Sequence, residues 1–240
     1  MRAAAGQDGD GRPVAVVTGA NRGIGREVAR QLAGRGFLVV AGSRDPDAGE
    51  RTARQLDPEG GSVIARRVDV TDPATIQAAA DWTAQHLGRA DVLVNNAAIL
   101  YDTWQQAWNA DLSVVRDALD TNLVGAWRTT QAFLPLLRRS AHGRIVNVSS
   151  EGGSISGMTG GTPAYSVSKA ALNALTQLLA GELRGDRILV NAVCPGWTDT
   201  DMGRGGRPVA EGAASVMWAV LLPDGGPTGG FFRDGQALPW

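Results

Sequence analysis

The sequence predicts a doubly wound α/β fold, a seven-stranded parallel sheet with helices on both faces. Two observations carry that expectation. Short β-branched runs alternate with longer stretches of helical spacing through nearly the whole chain, the pattern of strand–crossover–strand units. Most of those runs are apolar at every position, as strands covered on both faces must be.

The first run is Val14 to Thr18, and a helix from about Gly23 to Ala33 follows, with Ile24, Val28 and Leu32 on one face and Gly34 and Gly36 ending it. The second and third runs are Phe37 to Ala41 and Ser62 to Val68. A helix then starts with Asp72 as cap and Pro73 at its first position, turning Ile76, Ala80, Thr83 and Leu87 inward. Asp91 to Asn95 leads into a long helix, about Leu112 to Arg139, and Gly143 to Ser149 into another, about Pro163 to Leu183. Ile188 to Val193 and Gly230 to Arg233 complete the sheet. No internal repeat or low-complexity linker divides the chain, so one domain is expected over residues 13–240 behind a frayed, polar tail at 1–12.

Composition narrows the function. Hydrophobic residues at 43% and charged residues at 20% suit a globular core and exclude disordered or fibrous classes. Lys and Arg number 23 against 24 Asp and Glu, so the chain lacks the basic field that nucleic acid or an anionic membrane requires. One cysteine, Cys194, and two histidines, His86 and His142, offer neither a disulfide nor zinc spacing. With no apolar run of spanning length, the expectation is a cytoplasmic protein without a metal.

Three motifs lie where such a fold binds ligands, at the carboxyl ends of its strands. Thr18-Gly19-Ala20-Asn21-Arg22-Gly23-Ile24-Gly25 follows the first strand and opens the first helix. Glycines there allow a tight turn and bring backbone amides and the positive end of the helix up to a pyrophosphate. In Tyr165-Ser166-Val167-Ser168-Lys169 a phenol and an ammonium share one helix face. A neighbouring ammonium favours the phenolate, so the pair is expected to lower the tyrosine pKa and to move a proton. Asn147-Val148-Ser149-Ser150 ends the fifth strand, where a serine can hydrogen-bond a substrate oxygen.

With Asn95-Asn96-Ala97-Ala98, Thr121-Asn122 and Asn191-Ala192-Val193-Cys194-Pro195-Gly196 in the same order, these motifs resemble the short-chain dehydrogenase/reductase superfamily in its single-domain branch, from about Pro13 onward. The resemblance implies a Rossmann-type domain transferring hydride between a nicotinamide and a carbonyl carbon. Tyr165 is then the general acid/base and Lys169 its electrostatic activator and a ligand of the nicotinamide ribose. Ser150 holds the substrate oxygen, with Ser149 as the alternative, and Asn122 supports a water relay to the lysine. Ala98 stands where the family commonly has glycine, and the Ser150–Tyr165 stretch is slightly longer than usual.

Where NAD-dependent relatives tend to place a carboxylate after the second strand, this chain has Ser43 followed by Arg44, a partner for a 2′-phosphate, and Arg22 adds a second cation. NADPH is the expected cofactor. Besides Gly19, Asn21, Gly23, Ile24 and Gly25, the resemblance implies cofactor-site roles for Asp69 and Val70 beside the adenine, for Ala97, and for Asn95 as a brace on the cofactor side of the central strands. It implies others for Pro195 and Gly196, and for Thr198 and Thr200 at the carboxamide.

Tyr101, Trp104, Met158 and Trp197 are expected to line a pocket for an aromatic or otherwise hydrophobic ketone. From Cys194 to Trp240 the wording is most like the carbonyl reductase group, whose best-known members carry an insertion that this chain lacks. Ala126, Phe133, Leu134 and Leu137, with Leu172, Leu175 and Leu179, are then expected to leave apolar surface for a homodimer. The leading expectation is an NADPH-dependent carbonyl reductase. The alternatives are a non-catalytic NADP(H)-binding regulatory protein, or the same enzyme reducing an imine or oxidising an alcohol.

Overall fold

The computed structural model describes residues 11–99 and 101–240. Its sheet runs in the order β3-β2-β1-β4-β5-β6-β7-β8, from β1 (Val14–Val17), β2 (Leu38–Ser43), β3 (Val63–Arg67), β4 (Val92–Asn95), β5 (Arg144–Val148), β6 (Leu189–Val193), β7 (Phe231–Arg233) and β8 (Gln236–Ala237). Neighbours from β3 through β7 are parallel. The expected seven strands are present, and an eighth adds itself: β8 pairs antiparallel with β7. Asp234 and Gly235 turn the chain there, both at positive φ, which is the geometry of a tight hairpin.

Helices cover both faces. On one side α3 (Pro73–Leu87), α5 (Gly125–Leu137) and α6 (Pro163–Glu182) bury Ile76, Phe133, Leu137 and Leu172 against Leu93, Ile145 and Val190. On the other, α1 (Gly23–Ala33), α2 (Pro46–Leu56) and α7 (Val209–Val220) close over Val17, Val94 and Val146 with Val28, Leu32 and Val216. Each such side chain contributes about 1.5–3 kcal/mol by leaving water. Caps follow the sequence: Asp72 accepts from Ala74 N and Asp45 from Ala48 N, each ahead of a proline at the first turn. Chain order reverses between β1 and β4, which opens the crevice at their carboxyl ends.

Two expectations need correction. The long helix expected over Leu112 to Arg139 is α4 (Leu112–Leu119), a π-turn at Asp120–Val124 and then α5. The extra residue of that turn lets Asn122 turn inward, where it is buried; π-turns commonly carry functional side chains. The residues expected to form a dimer face are mostly core: Ala126, Phe133, Leu137, Leu172, Leu175 and Leu179 are buried under the sheet, and Leu134 is half-buried against them. Their apolar surface is already covered within one chain.

The last residues fold back over the stretch between β5 and α6. Ser154 Oγ donates to Pro239 O at 2.9 Å and Ser156 N to Trp240 O at 2.9 Å, while the Trp240 ring stacks on Phe231 with centroids 5.7 Å apart.

Candidate active site

The crevice is built first by backbone. Gly19 and Gly23 hold φ of 63° and 53°, values that glycine adopts without strain. A Cβ on Gly25 would lie 2.4 Å from both Asn96 Nδ2 and Gly19 O, so α1 can approach the loops only if this residue is glycine. Thr18 Oγ1 accepts from the amides of Asn96 and Ala97, each at 3.0 Å, and ties the β4 loop to the end of β1. The N-terminus of α1 has no side-chain cap and no acid in its first turn. Its unsatisfied N–H groups and positive dipole are therefore left for an anion.

Of these residues Gly19, Gly23, Asn96 and Ala97 line a cavity of about 850 Å³. Gly19, Asn21, Arg22, Gly23 and Ile24 form its floor at α1, Ser43 and Arg44 one end, and Asp69, Val70 and Ala97 its flank. Pro195 and Thr200 close the side opposite, and Tyr165 and Lys169 stand at the other end. Arg44 is exposed and Ser43 Oγ donates to Asp45 O at 2.7 Å; Asp45, which also lines the cavity, accepts from Ala48 N through Oδ1 at 3.1 Å. The dimensions and donor set fit a dinucleotide: free helix amides for a pyrophosphate, and Ser43 followed by the Arg44 cation directly after β2.

Tyr165 and Lys169 lie on one face of α6 and are buried. Lys169 Nζ donates to Val148 O at 2.8 Å and sits 5.7 Å from the phenol ring centroid. Ser150 is the neighbour whose hydroxyl favours the Tyr165 phenolate, while its Oγ accepts from Gly152 N at 3.1 Å. Ser149 points elsewhere: its hydroxyl donates to Asn173 Oδ1 at 2.6 Å in the interior. The two serines are thus held differently: Ser149 lines the cavity with its hydroxyl bonded inward to Asn173, and Ser150, outside the lining, is the one that acts on the Tyr165 phenol. Asn122 accepts from Ile99 N at 2.9 Å and donates to Ile99 O at 3.2 Å and Ser168 Oγ at 2.9 Å, joining the β4 loop to α6.

Burial, not the lysine, dominates the electrostatics. Desolvation pushes the Tyr165 phenol up to about 12, opposed by the Ser150 hydrogen bond, and pulls the Lys169 ammonium down to about 8. The expected lowering of the tyrosine pKa is not met in the chain by itself, because the cost of burying a phenolate outweighs what favours it.

Other expected residues divide. Asn95 does not line the cavity; it donates to Thr130 Oγ1 at 3.1 Å and Asn147 Oδ1 at 2.9 Å and so braces β4 against β5 and α5. Thr198 is turned inward, its hydroxyl donating to Pro195 O at 3.1 Å and Gly196 O at 3.0 Å, so it shapes the loop rather than reaching into the cavity. Gly25 and Gly196 likewise stand behind the wall. The Tyr101 ring meets Tyr165 edge-on at 5.2 Å and Trp197 at 5.6 Å, whereas Trp104, 67% exposed, and Met158, 39% exposed, face solvent. Sequence reading misses the Arg22–Asp201 ion pair of 2.9 Å that bridges the glycine loop to the segment after β6. The partners lie 179 residues apart, so no local spacing announces them.

The comparisons agree with this geometry. Residues 13–208 match the short chain dehydrogenase family. Ketoacyl reductase 2 of the granaticin polyketide synthase from Streptomyces violaceoruber is 39% identical over 248 aligned residues, covering 89% of this chain and 95% of its own. The NADPH carbonyl reductase 1 of Rattus norvegicus is 32% identical, with 95% of this chain and 99% of its own covered. Among solved structures, an NADPH-bound carbonyl reductase from chicken fatty liver superposes with a TM-score of 0.86 at 30% identity, over 95% of this chain and 100% of that one. Sequence match, sheet order and glycine-loop geometry lead to one conclusion, that this chain belongs to the short-chain dehydrogenase/reductase family of oxidoreductases.

Proposed function

We propose that the chain is an NADPH-dependent carbonyl reductase, reversible in principle, in which Tyr165, Ser150, Lys169 and Asn122 form the catalytic set. The observation that carries it is buried Tyr165 with Lys169 on the same face of α6, both lining the dinucleotide-sized cavity. When bound, the nicotinamide supplies the hydride that reaches the carbonyl carbon. Ser150 holds the substrate oxygen by a hydrogen bond, and Tyr165 donates its proton to that oxygen as negative charge develops there. A phenol that burial keeps protonated is suited to the acid role. Lys169 holds positive charge behind the ring, where it favours the phenolate left after transfer, and Asn122 fixes the β4 loop to α6 beside it.

NADPH rather than NADH is supported by Arg44 at the cavity's end, by the absence of a free carboxylate at Ser43, and by the cofactor named for the rat and chicken relatives. Tyr101 against Tyr165, with the half-exposed Trp197 behind Tyr101, favours a hydrophobic or aromatic carbonyl. The test is NADPH oxidation across aromatic ketones, quinones, aldehydes, diketones and cyclic imines, with NADH and Tyr165→Phe alongside. Turnover that drops by about 10²-fold or more in Tyr165→Phe supports the reading. NADPH binding without turnover favours a regulatory protein instead, and turnover indifferent to the tyrosine overturns the role assigned to Tyr165.

A further inference from the structure

The first turn of α6, which carries Tyr165, is capped from a distant part of the chain. Pro163 opens the helix without an N–H, and Thr162 before it, at φ 46°, makes no side-chain cap. The next two amides, Ala164 N and Tyr165 N, donate to Asp102 Oδ2 at 2.9 Å and Asp102 Oδ1 at 3.0 Å. Asp102 is fully buried in the loop after β4. Gln105, also buried, donates to Asp102 Oδ2 at 3.0 Å and accepts from Asp111 N at 3.0 Å, and Asp111 itself caps α4 through Ser113 N at 2.8 Å. Tyr101, one residue before Asp102, lays its ring against the phenol.

We propose that Asp102 is a positioning residue for the reduction, holding the Tyr165 backbone and the Tyr101 wall of the substrate pocket in one fixed unit. The proposal rests on the reading of Tyr165 as the acid. A carboxylate suits this role because it presents two acceptors to two donors, and charge-assisted bonds at a helix N-terminus are stronger than neutral ones. Asparagine has the same shape but offers one acceptor, and its amide would set an N–H against an N–H. Proton transfer needs heavy atoms within about 2.6–3.2 Å, and a misplacement near 1 Å costs about 100-fold. A first turn that loses its cap therefore lowers the chemical step before it alters cofactor binding along the rest of the cavity.

The test compares Asp102→Asn and Gln105→Leu with the unaltered protein and Tyr165→Phe. It measures kcat and KM on the carbonyl of the panel reduced fastest, NADPH affinity by fluorescence titration, and Tm. The expected result is a fall in kcat of about 10- to 100-fold in Asp102→Asn and about 3- to 10-fold in Gln105→Leu, with NADPH affinity held within about twofold. Values of kcat within about twofold of the unaltered protein overturn the proposal, as do losses of kcat that track falling NADPH affinity and Tm, the mark of general loosening. If Asp102→Asn does not fold, Gln105→Leu decides alone, since it keeps the carboxylate. An inactive Tyr165→Phe beside an unaffected Asp102→Asn overturns only the positioning role, whereas an active Tyr165→Phe overturns both readings.

Discussion

Replacing Lys169 with methionine is expected to abolish turnover and yet to stabilise the cofactor-free protein near neutral pH. Burial pulls the ammonium from 10.5 to about 8, a difference of about 2.5 units worth about 3 kcal/mol at about 1.4 kcal/mol per unit. The folded-state value lies below the unfolded one. As pH falls from about 10.5 to about 8 the unfolded chain takes up its proton first, so the unaltered protein loses that stability across this window and the loss is complete below it. Methionine has similar length and nothing to titrate. It forfeits the bond from Lys169 Nζ to Val148 O, which costs about 1 kcal/mol. The balance is a gain of about 2 kcal/mol near pH 7, or about 4–8 °C in Tm for a chain of this size, turning to a deficit of about 1 kcal/mol above pH 10.5. Tyr165 ionises in both chains and cancels in the difference. Urea unfolding of the pair from about pH 7 to about pH 10.5 reads the effect directly. A variant less stable than its parent near pH 7, or a gap that does not change over that range, would refute the claim that desolvation governs this lysine.

Arg44→Asp is expected to weaken NADPH by about 10- to 100-fold while sparing NADH, the worth of a charge-assisted phosphate contact; an unchanged affinity ratio in fluorescence titration counts against the phosphate role. The adjacent serines should behave oppositely. Ser150→Ala is expected to lower kcat by about 10- to 100-fold with little change in Tm, whereas Ser149→Ala, which strands Asn173 Oδ1 in the interior, should lose about 1–3 kcal/mol in urea unfolding and leave kcat within severalfold. Equal kinetic losses in both would overturn that division. Gly25→Ala drives a methyl into Asn96 Nδ2 and Gly19 O, and a loss of about 1–3 kcal/mol with weaker NADPH binding is expected; calorimetry and titration check it.

Much of the frame can be read directly from residue patterns. Val14–Val17, Leu38–Ser43 and Leu189–Val193 are apolar or small throughout, and every residue of them is buried, so their runs stand out from the helical spacing around them. Gln236–Ala237 is two exposed residues and has no period to detect. The π-turn around Asn122 is equally hidden, because one extra residue in a helix changes hydrogen bonds without changing apolar spacing enough to notice. At the site, the glycine loop, Tyr165 and Lys169 are legible because their chemistry depends on local spacing. Thr198 and Asp102 are not: each depends on where a loop turns in space, and Asp102 meets its amides across 62 residues. Spacing also gives the wrong sign for Tyr165, since it reveals a nearby cation but not the burial that outweighs it.

The backward fold of Pro239 and Trp240 onto Ser154 and Ser156 makes these last residues a hem on the stretch between β5 and α6. Slack between β5 and α6 is thereby confined to the stretch from Gly157 to Gly161, where an added Cβ at Gly161 would meet no neighbour within 4 Å. Anything fused after Trp240, such as a purification handle, would emerge beside Ser154 and Ser156 and pull on the stretch between β5 and α6. A fusion ahead of Arg12 would emerge at the amino ends of the strands, where Arg12 contacts Ser62 and Gly61, on the side of the sheet away from the chemistry.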